Sequence, residues 1–281
     1  MFFSRLNLPL VALVGLLLNT GVTAEPLPVV VCYPGGPVSE SDANQAMGAM
    51  LRVLERTGGW PEGHFTSSFS SDASACEQLL SAQSPPYAIT SLGLFLTQQH
   101  ALNLIPLAQP RMRGKTSEEF HLVAAQGRFK GLDAVRGARV GGTVFEEQDF
   151  IQRIVFEGHL DPRKDFALNP SHQAIRALRA LDRGELDAVL LNGQQYAALN
   201  ALPLNTPLES VYTSPAVPLM GLAANSQKTT TEDRARMQKG LTALCSDAEG
   251  KKLCELFGIE AFVAADQAAI QAALNLWKKM P

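Results

Sequence analysis

The chain has 281 residues, of which 46% are hydrophobic and 18% charged, with a formal net charge of −3. That composition supplies enough apolar surface to bury sizeable cores, which excludes a disordered chain. The slightly acidic balance excludes the basic surface that nucleic-acid binding requires, and the length suits two lobes better than one core.

Residues 1–24 read as a secretory signal. Arg5 gives a small positive start, Leu8 to Leu18 is an almost unbroken apolar run, and Val22-Thr23-Ala24 supplies the small residues that a signal peptidase selects. The run is short for a membrane span, so a retained anchor is the weaker alternative. Cleavage near Ala24 would start the mature chain, about 255 residues, at Glu25 in the periplasm or outside the cell.

Strands then alternate with helices, the pattern of an α/β fold with mainly parallel sheet. The run at 29–32 is the first strand, and the loop YPGGPVSESD places Ser41 or Asp42 as a helix cap. The helix that follows carries Ala46, Met47, Met50, Leu51 and Leu54 inward and stops at Gly58-Gly59. A strand near 64–69, a helix from Ser71 or Asp72, the strand-turn PPYAITSLGLFL and a strand at 104–107 complete the first segment. The second repeats the logic, with strands at 120–125, 138–141, 166–168 and 188–191. Its helices are a short one in GLDAVRG and longer ones at 149–157 and 171–183. An extended passage at 211–224 leads into helices over 231–279.

Four cysteines suit an oxidising compartment and permit three complete pairings. Cys32 ends a strand and Cys76 lies on the apolar stripe of the next helix, while Cys245 and Cys254 flank a corner that Asp247 can cap. The favoured pairs are therefore Cys32–Cys76 and Cys245–Cys254, with buried free thiols as the alternative. No histidine stands near either pair at metal-ligand spacing, so neither a metal nor a cofactor is expected.

In open α/β sheets ligands bind where strands end and helices begin. LLNGQQY offers Asn192, Gln194 and Tyr196 at such an exit, and AITSLGLFL offers Thr90 and Ser91 in the first segment. Tyr33, Ser91, Thr143, His172, Asn192 and Tyr196 each stand at a strand exit or helix start and are expected to converge on one pocket. Taken singly, Ser91 and Asn192 read equally well as capping residues. The chain carries no Gly-x-Ser-x-Gly elbow, phosphate-binding loop or His-Glu-x-x-His, which favours binding over catalysis.

The order FHLVAAQG, GLDAVRGARVGGT, FEGHLDP, and DFALNPSHQAIRALRALDRGELDAVLLNGQQYAAL is similar to the second lobe of phosphonate-type periplasmic substrate-binding proteins, the soluble receptors of ABC importers. Gly158, Asp161 and Pro162 approximate that family's Gly-x-Asp-Pro with one extra residue. His172 lies in its polar histidine loop, and Gly184 with Asp187-Ala188 forms its Gly-x-x-Asp-Ala. The first lobe matches more loosely, through YPGGPVSESDANQAMGAMLRVLE and PPYAITSLGLF.

The resemblance implies a type II clamp. Residues 25–115 and 208–281 would form one lobe and 116–207 the other, joined by crossovers in PRMRGKTSEEF and around Pro207 to Pro218. It further implies a monomer that traps a small anionic or zwitterionic ligand for an inner-membrane ABC permease. A sensory accessory protein and, less well supported, a secreted enzyme are the alternatives. The family's run of hydroxyls is replaced here by GTVFEEQDF, in which only Thr143 offers one. Glu146 and Glu147 would repel a dianion unless they simply cap a helix or meet a cationic group, so phosphonate itself is disfavoured. His172 is a candidate donor to the ligand. In the first hinge Arg111, with Arg113 and Lys115, can bind an acid in bidentate fashion or form an ordinary solvated loop.

Overall fold

Apolar four- to eight-residue runs separated by amphipathic helices assemble two sheets in the computed structural model, which describes residues 25–36 and 40–279. The signal read at 1–24 lies outside the described residues. In the first sheet β1 (Leu27–Cys32) pairs in parallel with both β2 (Phe65–Ser70) and β3 (Tyr87–Thr90). Between them, α1 (Glu40–Gly58) buries Met47, Met50, Leu51 and Leu54, the one-sided stripe expected of a helix packed on a sheet. The Asp72 carboxylate accepts from the Ala75 N–H and caps α2 (Ala73–Gln83), and Ser91 caps α3 (Leu92–Gln98). β4 (Leu104–Arg111), β12 (Leu222–Asn225) and β13 (Ala261–Ala264) join antiparallel, giving the order β13-β4-β12-β3-β1-β2.

The second sheet contains β6 (His121–Ala125), β7 (Arg139–Gly142), β8 (Ala167–Pro170), β9 (Ala188–Leu191) and β10 (Leu208–Thr213), in the order β10-β6-β9-β7-β8. All four residues of β9 are buried, and, after the short helices α4 (Gln148–Phe150) and α5 (Pro162–Asp165), α6 (Ala174–Asp182) lays Ala177, Leu178 and Leu181 into the same core. The chain passes between the sheets twice, and at the passage β5 (Ser117–Glu118) pairs antiparallel with β11 (Val217–Pro218). This two-stranded ribbon is the waist of the molecule.

Both sheets are mixed. The helix-linked repeats give the parallel pairs, whereas the strands that cross to or from the other sheet run against their neighbours. Three local readings change. Ser41 and Asp42 lie inside the first turn of α1 rather than capping it. The expected helical return contains a strand: α8 (Thr231–Leu244) and α9 (Ala248–Leu256) are separated from α10 (Gln267–Lys279) by β13. A four-residue run is too short to declare its own periodicity, and pairing with β4 decides it. The expected Cys32–Cys76 bond is absent. Both residues are buried thiols, and the Cys76 thiol donates to the Ser70 carbonyl at 3.3 Å. A hydrogen bond with Cys76, followed by burial, pushes the Cys32 thiol far above the ordinary range, so the two sulfurs are neighbours without being bonded. Cys245 and Cys254 do form a disulfide, closing the corner where the Asp247 side chain accepts from the N–H groups of Glu249 and Gly250. Among the described residues no helix is long and apolar enough to cross a membrane.

Candidate functional site

Four strand exits, two from each sheet, face one another across a cleft of about 480 Å³. Beyond β1 the chain presents Tyr33 and then turns at Gly35, whose φ of +69° favours glycine. A Cβ on Gly35 would lie 2.3 Å from the Thr143 carbonyl oxygen of the opposite lobe, so the two lobes touch here only because a side chain is missing. Beyond β3, the Ser91 Oγ accepts from the Leu94 N–H at 3.2 Å and donates its own proton to Glu147 Oε1 of the opposite lobe at 2.7 Å. Gly93 permits that approach as well, because a Cβ there would stand 2.3 Å from Glu147 Oε1 and 2.8 Å from Phe150 Cβ.

On the second sheet, β7 delivers Thr143 to the cleft and β9 delivers Asn192. The Asn192 side chain accepts from the Gln195 N–H and the Gln195 side chain accepts from the Asn192 N–H, a reciprocal cap on α7 (Gly193–Ala197). Gln195 Nε2 then donates to Thr143 Oγ1 at 2.9 Å, which ties the two exits together. From the waist, Glu118 accepts from the Gly193 N–H at 3.1 Å. Phe120, Phe150, Ile175 and Met220 give the cleft an apolar side.

The electrostatics follow from desolvation. Burial pushes the carboxyls of both Glu118 and Glu147 up to about 7, outweighing the hydrogen bonds that each accepts. Burial, with the charges of the same two residues, also pushes the Tyr33 phenol well above its ordinary range, although 44% of the tyrosine's surface is exposed. Among the described residues that line the cleft there is no arginine, lysine or histidine.

Of the residues singled out from sequence, Tyr33, Ser91, Thr143 and Asn192 come together. Three do not. His172 has 91% of its side chain exposed and stands 3.6 Å from the Glu146 carboxylate; Ser171 bonds Gln173 in a turn, and Gln173 and Ala174 face the cleft instead. Arg111, at the far end of β4, is half-exposed and paired with Glu260 at 3.8 Å. Tyr196 stacks on His121 with ring centroids 3.7 Å apart, because one residue beyond Gln195 the helix points its side chains elsewhere. It lines an adjoining pocket of about 300 Å³ with Arg113 and Lys115, which shares Glu118 and Gln194 with the cleft. Glu147 does not cap its own helix but reaches across to Ser91. Glu118 and Gln195 were not anticipated. The Asn-x-x-Gln spacing of the cap could have disclosed Gln195, whereas nothing around Glu118 in sequence distinguishes it from Glu119. Among the described residues no three potential ligands gather to hold a metal ion.

The model of the family described as "ABC transporter, phosphonate, periplasmic substrate-binding protein" matches residues 37–270. No curated protein matches the sequence significantly. Among solved structures, the chain is similar to a binding-protein component of an ABC phosphonate transporter, PA3383 from Pseudomonas aeruginosa. The TM-score is 0.66 at 17% identity, covering 90% of this chain and 87% of that one. XAC2383 from Xanthomonas citri, solved with chloride, gives a TM-score of 0.69 at 12% identity over 91% and 98% of the two chains. PhnD1 from Prochlorococcus marinus, solved with methylphosphonate, gives 0.64 at 14% over 91% and 98%. The two sheets, the double crossover and the cleft between strand exits are thus the type II architecture of these receptors, and the chain belongs to the phosphonate-type periplasmic substrate-binding proteins of ABC transporters.

Proposed function

We propose that the protein captures a small anionic or zwitterionic solute in the cleft between its lobes and hands it to an ABC permease. The observation that carries this reading is the set of four facing strand exits around an open volume of about 480 Å³, large enough for a small organic molecule. Tyr33, Thr143 and Asn192 supply polar contacts for the ligand from both lobes, Ser91 holds Glu147 at the cleft, and the apolar side holds the ligand's body. The first sheet with its helices moves as one body and the second sheet, which includes β10, as the other, turning about the ribbon of β5 and β11, so that the second crossover lies at β11 rather than at residue 208. Closure is favoured by contacts that exist only when both lobes meet the ligand. The protein acts as a monomer in the periplasm after cleavage near Ala24, and binds without turning its ligand over.

The test begins with native mass spectrometry of protein purified directly from periplasm, followed by calorimetry with whatever solute is carried. Recovery of one small molecule, unchanged in mass after prolonged incubation and bound with micromolar or tighter affinity, is the expected result. A chemically altered product would favour an enzyme. Protein that carries no solute and binds none in a broad screen would remove the receptor reading.

A further inference from the structure

The cleft resembles an anion site in its fold and contradicts one in its charge. Its described lining holds two carboxylates and no cationic side chain. Among the described residues neither carboxylate is in ion-pair contact with a cationic side chain. Glu147 accepts from the Ser91 hydroxyl, and Glu118 accepts from the Gly193 N–H; Arg113, whose charge offsets part of the effect of burial on Glu118 from the adjoining pocket, itself donates to the Gly193 carbonyl. The hydroxyl that could have bonded an acid head is thus already committed to a carboxylate of the protein. A second acid in the same volume would be repelled across a few ångströms of poorly screened space. What the cleft still lacks is positive charge. Neutral donors remain, since the Asn192 amide uses only its oxygen in the cap and the Thr143 hydroxyl accepts from Gln195.

Resting on the reading of this cleft as the ligand site, we propose that Glu118 and Glu147 are its specificity-determining residues and that the ligand carries an ammonium group bound by them. An acid end, if present, then meets the neutral donors Asn192, Thr143 and Tyr33. The aliphatic body lies against Phe120, Phe150 and Ile175. Simple phosphonates, sulfonates and carboxylates lacking a cationic nitrogen are rejected by the same two side chains, so one pair of residues supplies both attraction and exclusion.

Matched probes decide it. Protein stripped of carried solute by unfolding and refolding is titrated calorimetrically at pH 8 with three pairs: propionate and β-alanine, ethanesulfonate and taurine, ethylphosphonate and aminoethylphosphonate. Within each pair only the amine differs. At least one amine-bearing member is expected to bind at least about tenfold more tightly than its partner, the size of a charge-assisted hydrogen bond. Glu118→Gln and Glu147→Gln, each checked for folding by circular dichroism, are each expected to reduce that advantage at least threefold while leaving the amine-free member no weaker. Equal or tighter binding of amine-free acids overturns the proposal while leaving the receptor reading intact. Discrimination that survives both substitutions overturns it too, as does failure of every amine-bearing probe to bind. In that last case the receptor reading is judged separately, by the solute recovered from periplasm.

Discussion

Replacing Glu147 by glutamine should flatten part of the protein's pH–stability profile. The Glu147 carboxyl has an ordinary value of 4.5 and is raised to about 7 by burial, with a smaller contribution from the neighbouring Glu146 charge. Well below pH 4.5 it is neutral whether the chain is folded or not, and costs nothing. As pH climbs from there toward 7, the unfolded chain loses this proton while the folded one keeps it, so stability falls; above about 7 both forms ionise and the loss levels off. The gap between the two values corresponds to roughly 3 kcal/mol, of which about 2.5 kcal/mol develops between pH 5 and pH 8. Glutamine still accepts from Ser91 and cannot ionise, so this loss disappears. Urea unfolding of ligand-free wild type and Glu147→Gln at pH 5 and pH 8 measures it, and the corresponding melting-temperature difference at this chain length is about 5–10 °C. Glu118, raised to about 7 in the same way, keeps its own slope in the variant. If wild type and variant lose the same stability between the two pH values, Glu147 is not held in a desolvated interlobe contact and the reasoning fails.

Four further outcomes follow from the same structure. Gly35→Ala places a Cβ 2.3 Å from the Thr143 carbonyl and strains a backbone at φ +69°, so the lobes should sit farther apart by small-angle scattering, at a folding cost of about 1–2 kcal/mol; an unchanged radius of gyration would contradict the contact. Asn192→Ala removes the reciprocal cap of α7 and should lower stability by about 1 kcal/mol in denaturant titration as well as weakening ligand binding, since Gln195 loses its hold beside Thr143; unaltered stability would separate the cap from the site. Converting Cys245 and Cys254 to serine opens a loop with a sequence separation of 9 and should cost about 2.5 kcal/mol, read from thermal melts under non-reducing conditions. Native protein should resist alkylation at Cys32 and Cys76, then take up two alkyl groups once unfolded, and a mass spectrum showing none would place a second disulfide there.

The alternation of strands and helices, the apolar stripe of α1, the Asp72 and Asp247 caps and the Cys245–Cys254 corner were legible in the sequence because each rests on residues within about ten positions of one another. Ser91, Thr143 and Asn192 were legible for the same reason: a strand that ends in a small polar residue before a helix start announces its own exit. What the sequence could not determine were relations between distant segments. β13 is a strand only because β4 lies beside it, and Cys32 and Cys76 share a layer as free buried thiols, the Cys76 thiol donating to the Ser70 carbonyl. His172 and Tyr196 stand at the expected places in the chain, yet a turn and one step of helix rotate them out of the cleft. Glu118 and Glu147 show the limit most clearly. In sequence they belong to ordinary acidic pairs, Glu118-Glu119 and Glu146-Glu147, and only the meeting of two lobes desolvates one member of each. Local periodicity and capping are fixed by neighbours along the chain, whereas burial of charge is fixed by whatever the fold brings against it, and so the character of the site was decided by the tertiary structure.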